Sequence, residues 1–325
     1  MMEKTQETLL EVKNLDLYFH GPLHNHDLHA LREISFKVMP GEILGVVGES
    51  GSGKSITNLA VMGLLPKETK IQSEKVSFAG TAIDLNNEKS FKRFRGTEVA
   101  MIFQDPMTAL NPFLKVGYQL MEPLTIHMKM SRSEAKKRAI ELMEKVGISS
   151  PDKRFDQYPF ELSGGMAQRV MIAMSLTTNP KLLIADEPTT ALDVTIQKQI
   201  LNLIKDLKVK EKMSVILVTH DLGLVAEYAD RIQVMYAGEI VESGKTKDLI
   251  ENPKHPYTEA LLKSRPEGGG FKPKENLLTI SGVVPMLNQR PGGCQFAPRC
   301  AYVEEKCTAK TPELVNNVRC VKPLS

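Results

Sequence analysis

Residues 43–62 read ILGVVGESGSGKSITNLAVM, and this stretch decides the fold. Its apolar, β-branched start predicts a buried strand, and the residues after the glycine-rich turn have the apolar spacing of a helix. The turn fits the pattern G-x-x-x-x-G-K-S/T, with Gly48, Gly53, Lys54 and Ser55 at the fixed positions. A strand, such a turn and a helix in this order predict a phosphate-binding loop in an α/β fold.

The chemistry of phosphate binding explains these residue types. Glycines let successive backbone N–H groups turn inward around a phosphate, which also lies at the positive end of the following helix. Lys54 is expected to bridge the β- and γ-phosphates, and the hydroxyl of Ser55 to complete the coordination of Mg²⁺. A turn that only needs glycines does not explain this lysine and serine together. The loop residues predicted to bind ATP are Gly48, Ser50, Gly51, Gly53, Lys54 and Ser55.

A second functional segment is KLLIADEPTTALD, at residues 181–193. Its apolar run before Asp186 and Glu187 predicts a buried parallel strand with two acids at its carboxyl end, where open α/β sheets bind their ligands. Asp186 fits a contact to Mg²⁺, and Glu187 fits the base that aligns or deprotonates an attacking water. The strand SVILVTH brings His220 to the same edge, although a lone histidine there is more often a polar strand-end residue.

Helical periodicity characterises the region between these two segments, about residues 106–165. Within this helical insert, SRSEAKKRAIELMEKVG begins at a serine that can cap a helix and ends at a glycine. The insert closes with ELSGGMAQRVMIAMSL, in which Ser163, Gly164 and Gly165 open a helix with bare N–H groups that can hold an anion.

Alternating apolar and polar residues at 8–19 and 28–38 predict an antiparallel strand pair ahead of the phosphate loop. The connecting loop and its flanks contain several histidines, which leaves a metal site as an alternative. A turn rich in Gly, Pro, Asn and Asp is nevertheless an ordinary hairpin connection, and we favour that interpretation. The histidines are His20, His24, His26 and His29.

In order, the motifs GESGSGKS, FQDP, LSGGM, LLIADEP, ALD and VTH resemble the complete motif set of the ATP-binding cassette (ABC) ATPases, over roughly residues 8–260. The resemblance implies an α/β P-loop core with an antiparallel β subdomain and a helical subdomain, which hydrolyses ATP with Mg²⁺. It further implies that Phe19 stacks on adenine, that Gln104 senses the bound Mg²⁺ ion and couples to a partner, and that His220 contacts the γ-phosphate.

The resemblance also implies a head-to-tail dimer with a second ABC ATPase subunit, a paralogue, that closes around ATP. Ser163 and Gly165 would then contact the nucleotide held by the partner, with Asp193 at the same interface. One departure is Met166, which stands where the family signature has glutamine, so the polar contact of that side chain is absent. We expect the loss to be tolerable because the inferred phosphate contacts come from Ser163 and backbone groups.

The tail combines HPYTEALL with ISGVVPMLNQRPGGCQFAPRC, and both segments resemble the C-terminal extension of the ATPase subunits of bacterial oligopeptide, dipeptide and nickel importers. We therefore predict a nucleotide-binding domain over 1–262 and a C-terminal extension over 263–325. The resemblance implies peptide import, with two transmembrane permease subunits and an extracytoplasmic substrate-binding protein as partners. An importer of nickel or another small solute shares every motif and stays an alternative.

All four cysteines lie in this tail, with the spacing C-x5-C-x6-C-x12-C. Structural zinc sites usually have paired C-x2-C knuckles, which are absent here, whereas 4Fe-4S clusters tolerate more varied spacing. Some ATPases of the peptide-importer family carry such a cluster in this extension, so the resemblance favours it too. Zinc and four metal-free thiols stay as alternatives. The predicted ligands are Cys294, Cys300, Cys307 and Cys320.

Composition limits the remaining classes of protein. With 42% apolar and 25% charged residues, the chain is expected to bury a full core. Its net charge of +3 is spread along the sequence and gives no basic stripe, so we expect no nucleic-acid partner; a soluble ABC ATPase that acts on nucleic acid is the disfavoured alternative. No secretory signal and no apolar window of about 18 residues is present. We expect a peripheral subunit at the cytoplasmic face of the inner membrane.

Overall fold

The computed structural model describes residues 8–20, 27–190, 192–264 and 280–325. The chain divides into two compact units. Unit 1 comprises Met1–Glu88 and Thr219–Ser325, and unit 2 comprises Lys89–Val218. The boundary expected near residue 262 stays a prediction. Among the described residues, every helix is too short or too polar to span a bilayer.

Strands and helices are interspersed along the described residues. The strands are β1 (Leu10–His20), β2 (Asp27–Val38), β3 (Ile43–Val47), β4 (Lys70–Gln72), β5 (Lys75–Phe78), β6 (Thr81–Ala82), β7 (Val99–Ile102), β8 (Leu182–Asp186), β9 (Ser214–Thr219), β10 (Arg231–Tyr236) and β11 (Glu239–Lys245). The helices are α1 (Lys54–Met62), α2 (Glu88–Phe91), α3 (Pro106–Ala109), α4 (Val116–Ile126), α5 (Arg132–Lys145), α6 (Pro151–Phe155), α7 (Gly164–Ser175), α8 (Val194–Lys210), α9 (Leu222–Ala226), α10 (Thr246–Glu251), α11 (Pro256–Lys263) and α12 (Glu305–Ala309). Single 3₁₀ turns lie at Pro159–Glu161, Leu287–Gln289 and Ala297–Arg299.

An antiparallel sheet in unit 1 has the order β2-β1-β5-β6, with β4 also paired to β1. The pair β1–β2 has Leu10 opposite Val38 and Phe19 opposite Leu28, which confirms the predicted hairpin. Alternate residues of β1 are buried because one face of a half-buried strand packs on a core. The antiparallel β subdomain is therefore present.

Parallel strands carry the functional segments of both units. In unit 1, β3 pairs in parallel with β10, and β11 is antiparallel to β10. All residues of β3 are buried, as its continuous apolar run predicts. In unit 2, β8 lies between β7 and β9, parallel to both. The buried strand predicted before Asp186 is confirmed, and its carboxyl end carries the acids.

The helical insert of unit 2 is confirmed by α3 to α7. A capping box begins α5, in which Ser131 accepts from the backbone of Glu134 and the Glu134 side chain accepts from the backbone of Ser131. The chain leaves α5 through Gly147 at φ +78°, a conformation that favours glycine. The buried side of α5 consists of Ala135, Ala139, Leu142 and Met143.

The described part of the tail, 280–325, packs on the body of unit 1. Phe296 is buried, and its ring contacts Tyr236 of β10 and Tyr257 of α11, with both pairs of centroids 5.2 Å apart. The backbone N–H of Arg319 donates to Val241 of β11 at 2.8 Å. This segment gains its burial by sharing the core of the cassette.

Candidate functional site

The phosphate loop lies in unit 1, between β3 and α1. Lys54 is buried, with 5% of its surface exposed, and its Nζ donates to the carbonyl oxygens of Gly48 at 2.7 Å and Glu49 at 3.0 Å. The ammonium group therefore lies inside the loop that its own backbone forms. Its bridge to the β- and γ-phosphates stays a prediction.

Two glycines are required by the shape of this loop. Gly53 has φ +103°, and a Cβ there would lie 2.8 Å from the side chain of Leu31. At Gly48, a Cβ would overlap the backbone oxygen of Met235 in β10. The other predicted loop residues are placed around them: Ser50 and Gly51 are exposed, and Ser55 is half-buried at the start of α1.

The two acids and Gln104 lie in unit 2. Asp186 is buried at the last position of β8, and Glu187 follows it with φ +46°. The backbone N–H of Glu187 donates to the carbonyl of Val218 at 3.0 Å, which fixes this unusual turn. A non-glycine residue at positive φ costs conformational energy, and such residues cluster at functional sites.

Hydrogen bonds orient the Glu187 carboxylate. The Nε2 of Gln104 donates to Oε2 of Glu187 at 3.1 Å, and the hydroxyl of Thr190 donates to the same oxygen at 2.9 Å. The structure thus brings together Gln104 and Glu187, which the sequence motifs placed in one site. The sequence analysis did not predict Thr190 as a residue of this site. The available signal was its position, three residues after an acid at the end of a strand.

The residues expected at a dimer interface are also in unit 2. Ser163 caps α7, where its Oγ accepts from the N–H of Met166 at 3.4 Å, and Gly165 lies in the first turn. Asp193 caps α8 and accepts from the N–H groups of Thr195 and Ile196, each at 3.0 Å. Ser163 and Asp193 are exposed, so both helix starts face solvent in this single chain.

His220 and Phe19 lie in unit 1. His220 is exposed directly after β9, and Phe19 is half-buried in β1. Neither position tests the role that the resemblance implies, so contacts to the γ-phosphate and to adenine stay predictions.

The histidines of the hairpin have partners of their own. His20 pairs with Asp27 at 3.1 Å, and His29 pairs with Asp16 at 2.7 Å and stacks on Tyr18. These contacts support the ordinary hairpin interpretation. His24 and His26 lie outside the described residues.

The four cysteines line one small cavity of about 20 Å³, together with His255 and Phe296. Burial raises the pKa of the Cys294 thiol to about 11, and it also raises the pKa of Cys300 and Cys320. Four sulfur donors suit an iron–sulfur cluster or zinc chemically. In the described ranges, however, no group of three or more His, Cys, Asp or Glu side chains is placed to hold a metal ion. The placement of the thiols therefore does not support the expected metal centre.

Sequence reasoning missed a contact between the tail and the phosphate loop. Both terminal guanidinium nitrogens of Arg299 donate to the carboxylate of Glu49, with Nη1–Oε2 at 2.7 Å and Nη2–Oε1 at 3.0 Å. The backbone N–H of Glu49 donates to the hydroxyl of Tyr257 at 2.9 Å. These partners are 250 and 208 residues away along the chain, and no local pattern signals such pairs.

Known proteins resemble this chain over most of its length. The sequence matches the family described as ABC transporter over 31–190, and the one described as oligopeptide/dipeptide transporter, C-terminal region, over 241–307. A dipeptide transport ATP-binding protein of Haemophilus influenzae is 50% identical over 321 residues, covering 98% of this chain and 96% of that protein. One of Escherichia coli is 49% identical over 306 residues, covering 94% and 92%. An oligopeptide transport ATP-binding protein of Bacillus subtilis is 52% identical over 297 residues, covering 90% and 82%.

Solved structures share the cassette fold. A dimeric bacterial ABC transporter cassette has a TM-score of 0.64 at 28% identity, covering 73% of this chain and 98% of its own. The predicted P-loop ABC ATPase fold is confirmed. Since relatives of 49–52% identity extend along nearly its whole length, the chain belongs to the ABC transporter family, as an ATPase subunit of the oligopeptide/dipeptide type.

Proposed function

We propose that this chain binds and hydrolyses ATP to power the import of peptides through a multi-subunit ABC transporter. The observation that carries the proposal is the extent of the similarity: relatives named for dipeptide and oligopeptide transport align over 90% or more of the chain, tail included. The cassette alone would leave the cargo open. The match of residues 241–307 to the oligopeptide/dipeptide transporter C-terminal region favours peptides as the cargo.

ATP binding is assigned to the phosphate loop, with Phe19 against adenine and His220 at the γ-phosphate. The oxygens of Ser55, Gln104 and Asp186 would bind Mg²⁺, which prefers hydroxyl, amide and carboxylate oxygens of this kind. When bound, this ion offsets the negative charge on the phosphate oxygens.

Hydrolysis is assigned to Glu187 as the group that aligns or deprotonates the attacking water. Support comes from its restrained carboxylate, since Gln104 and Thr190 both donate to one of its oxygens. The second carboxylate oxygen would take the water proton. A carboxylate held in one orientation loses little freedom when the water binds, and this favours catalysis.

A second ABC ATPase subunit, a paralogue, would complete each ATP site in a head-to-tail dimer. Ser163, Gly165 and Asp193 would face the nucleotide bound by the partner. Their support is the exposure of the starts of α7 and α8, and α7 opens with Gly164 and Gly165, whose N–H groups are of the kind that can bind an anion. ATP contacts that exist only in the closed dimer would drive closure, and hydrolysis would reverse it.

Two transmembrane permease subunits would receive this motion at the cytoplasmic face of the inner membrane, with an extracytoplasmic substrate-binding protein delivering the cargo. The helical insert of unit 2 exposes several large apolar side chains that suit a protein partner. Phe113 is the most exposed of them, at 86%. The others are Met107, Leu114, Tyr118, Ile126, Met128 and Phe160.

Peptide uptake tests the cargo. We expect vesicles that contain the chain with its partner ATPase and permeases to accumulate labelled di- and oligopeptides when ATP and the substrate-binding protein are supplied. The matched control is the same assembly with the Lys54→Met chain. ATP-dependent uptake of nickel or another small solute, without peptide uptake, would contradict the proposed cargo.

For the tail, we propose that Cys294, Cys300, Cys307 and Cys320 bind a 4Fe-4S cluster that supplies folding free energy to this segment. The support is the convergence of all four thiols on one cavity. Binding requires the thiols to lose their protons.

Metal content tests this assignment. We expect the chain purified without oxygen to contain about four iron and four sulfide and to absorb visible light, and the Cys300→Ser variant to lose most of both. A Ser281→Ala variant, changed in the same segment but not at a thiol, should keep them. Zinc in place of iron would show that the thiols bind the alternative metal. A chain without metal would contradict both the iron–sulfur and the zinc assignment.

A further inference from the structure

Two residues from the C-terminal part of unit 1 anchor the second residue of the phosphate loop. Arg299 forms the two-pronged ion pair with the Glu49 carboxylate, and Tyr257 accepts from the Glu49 backbone. The side chain of Arg299 is only 5% exposed, and that of Glu49 is 31% exposed. An ion pair with this geometry and burial is worth more than the surface ion pairs of the chain.

Arg299 also organises its own segment. Its Nε donates to the carbonyl of Ser281 at 2.8 Å, and its Nη2 donates to the carbonyls of Ile280 and Gly282, each at 3.3 Å. A further bond from Nη1 reaches the hydroxyl of Tyr236 at 3.3 Å. The guanidinium is thus held by neutral partners as well as by Glu49, and it keeps its position when the carboxylate is neutralised.

The negative charge of Glu49 makes its ion pair with Arg299 important for nucleotide binding. Glu49 is a carboxylate inside a loop that has to hold a triphosphate, and like charges repel strongly in a partly buried site. The carbonyl of Glu49 also accepts from Lys54, the cation of the loop. An unpaired Glu49 carboxylate would therefore oppose the binding of the phosphates.

We propose that Arg299 is a positioning residue of the ATP site, which neutralises Glu49 and holds the first turn of the phosphate loop ready for the triphosphate. This inference rests on the proposed ATP-binding function. It makes the C-terminal extension a part of the nucleotide site of its own chain.

The test compares affinities for a fluorescent ATP analogue with Mg²⁺, using the full chain. We expect Arg299→Met to weaken binding about tenfold, because it leaves Glu49 charged and unpaired. Glu49→Gln should bind as well as the wild type or better, because it removes the repelling charge and keeps the guanidinium. The double variant Glu49→Gln/Arg299→Met should recover affinity to within about threefold of the wild type.

Arg319→Met is the matched control. Arg319 is also only 5% exposed and precedes a cysteine, as Arg299 does, but the partners described for its side chain are Glu33, Ile240 and Pro312, outside the loop. We expect a similar fall in thermal stability and unchanged ATP affinity. A merely structural ion pair would make Arg299→Met and Glu49→Gln equally harmful, and that result, or equal loss in Arg319→Met, would overturn the inference. Failure of the wild type to bind the analogue would instead overturn the proposed function.

Discussion

Replacing Glu187 with glutamine is expected to lower steady-state ATP hydrolysis by about 10²- to 10³-fold, while ATP still binds. The substitution removes the basic oxygen but keeps the size of the side chain. Gln104 and Thr190 can both donate to the remaining carbonyl oxygen, so the orientation seen for Glu187 should persist. The lower rate of hydrolysis would therefore reflect the missing base, because the side chain at position 187 keeps its orientation.

The Glu187→Gln variant should also hold its nucleotide. If hydrolysis opens the dimer, a site that binds ATP and cannot cleave it accumulates in the closed state. Gel filtration of the assembled ATPase pair with MgATP should then show more dimer and more retained ATP than for the wild type.

The matched control is Glu211→Gln, an acid of the same unit that pairs with Lys145 outside the site. It should hydrolyse ATP at the wild-type rate. Unchanged hydrolysis by Glu187→Gln in the assembled transporter would show that the assignment of the base is wrong.

Local sequence patterns predicted the elements that carry the site. The run from Ile43 to Val47 became β3 with those bounds, and the phosphate loop and α1 follow it as expected. The serine caps at Ser131 and Ser163 also begin helices. Such features were predictable because strand periodicity, capping and glycine turns are encoded within a few residues.

Contacts between distant segments could not be predicted in the same way. Nothing near Glu49 indicates that Arg299, 250 residues later, pairs with it. The tail gave a signal of a different kind: its clustered cysteines predicted a metal centre, and the four thiols do line one small cavity, but among the described residues no group of side chains is placed to hold an ion. The sequence shows that four thiols are present, but their placement depends on how the tail packs. One such contact is that of Phe296 with Tyr236 and Tyr257, which no pattern within the tail specifies.

Replacing Lys54 with methionine is expected to weaken binding of MgATP by about 10²- to 10⁴-fold and to abolish measurable hydrolysis. The estimate follows from two charge-assisted hydrogen bonds to phosphate oxygens, each worth roughly 1.5–3 kcal/mol. In the structure the ammonium group is held by the carbonyls of Gly48 and Glu49, so it is already inside the loop before nucleotide arrives. Methionine fills a similar volume without the charge, and the loop should keep its shape.

Arginine at this position should not rescue binding. Its planar fork is wider than an ammonium group and does not fit between the two loop carbonyls. Lys37→Met, which removes an exposed lysine of the same unit that pairs with Glu11, should bind ATP normally. Titration of the full chains with a fluorescent ATP analogue measures all three affinities. Wild-type affinity in Lys54→Met would mean that the triphosphate binds elsewhere, because phosphates bound in this loop would lose their contact with the ammonium group.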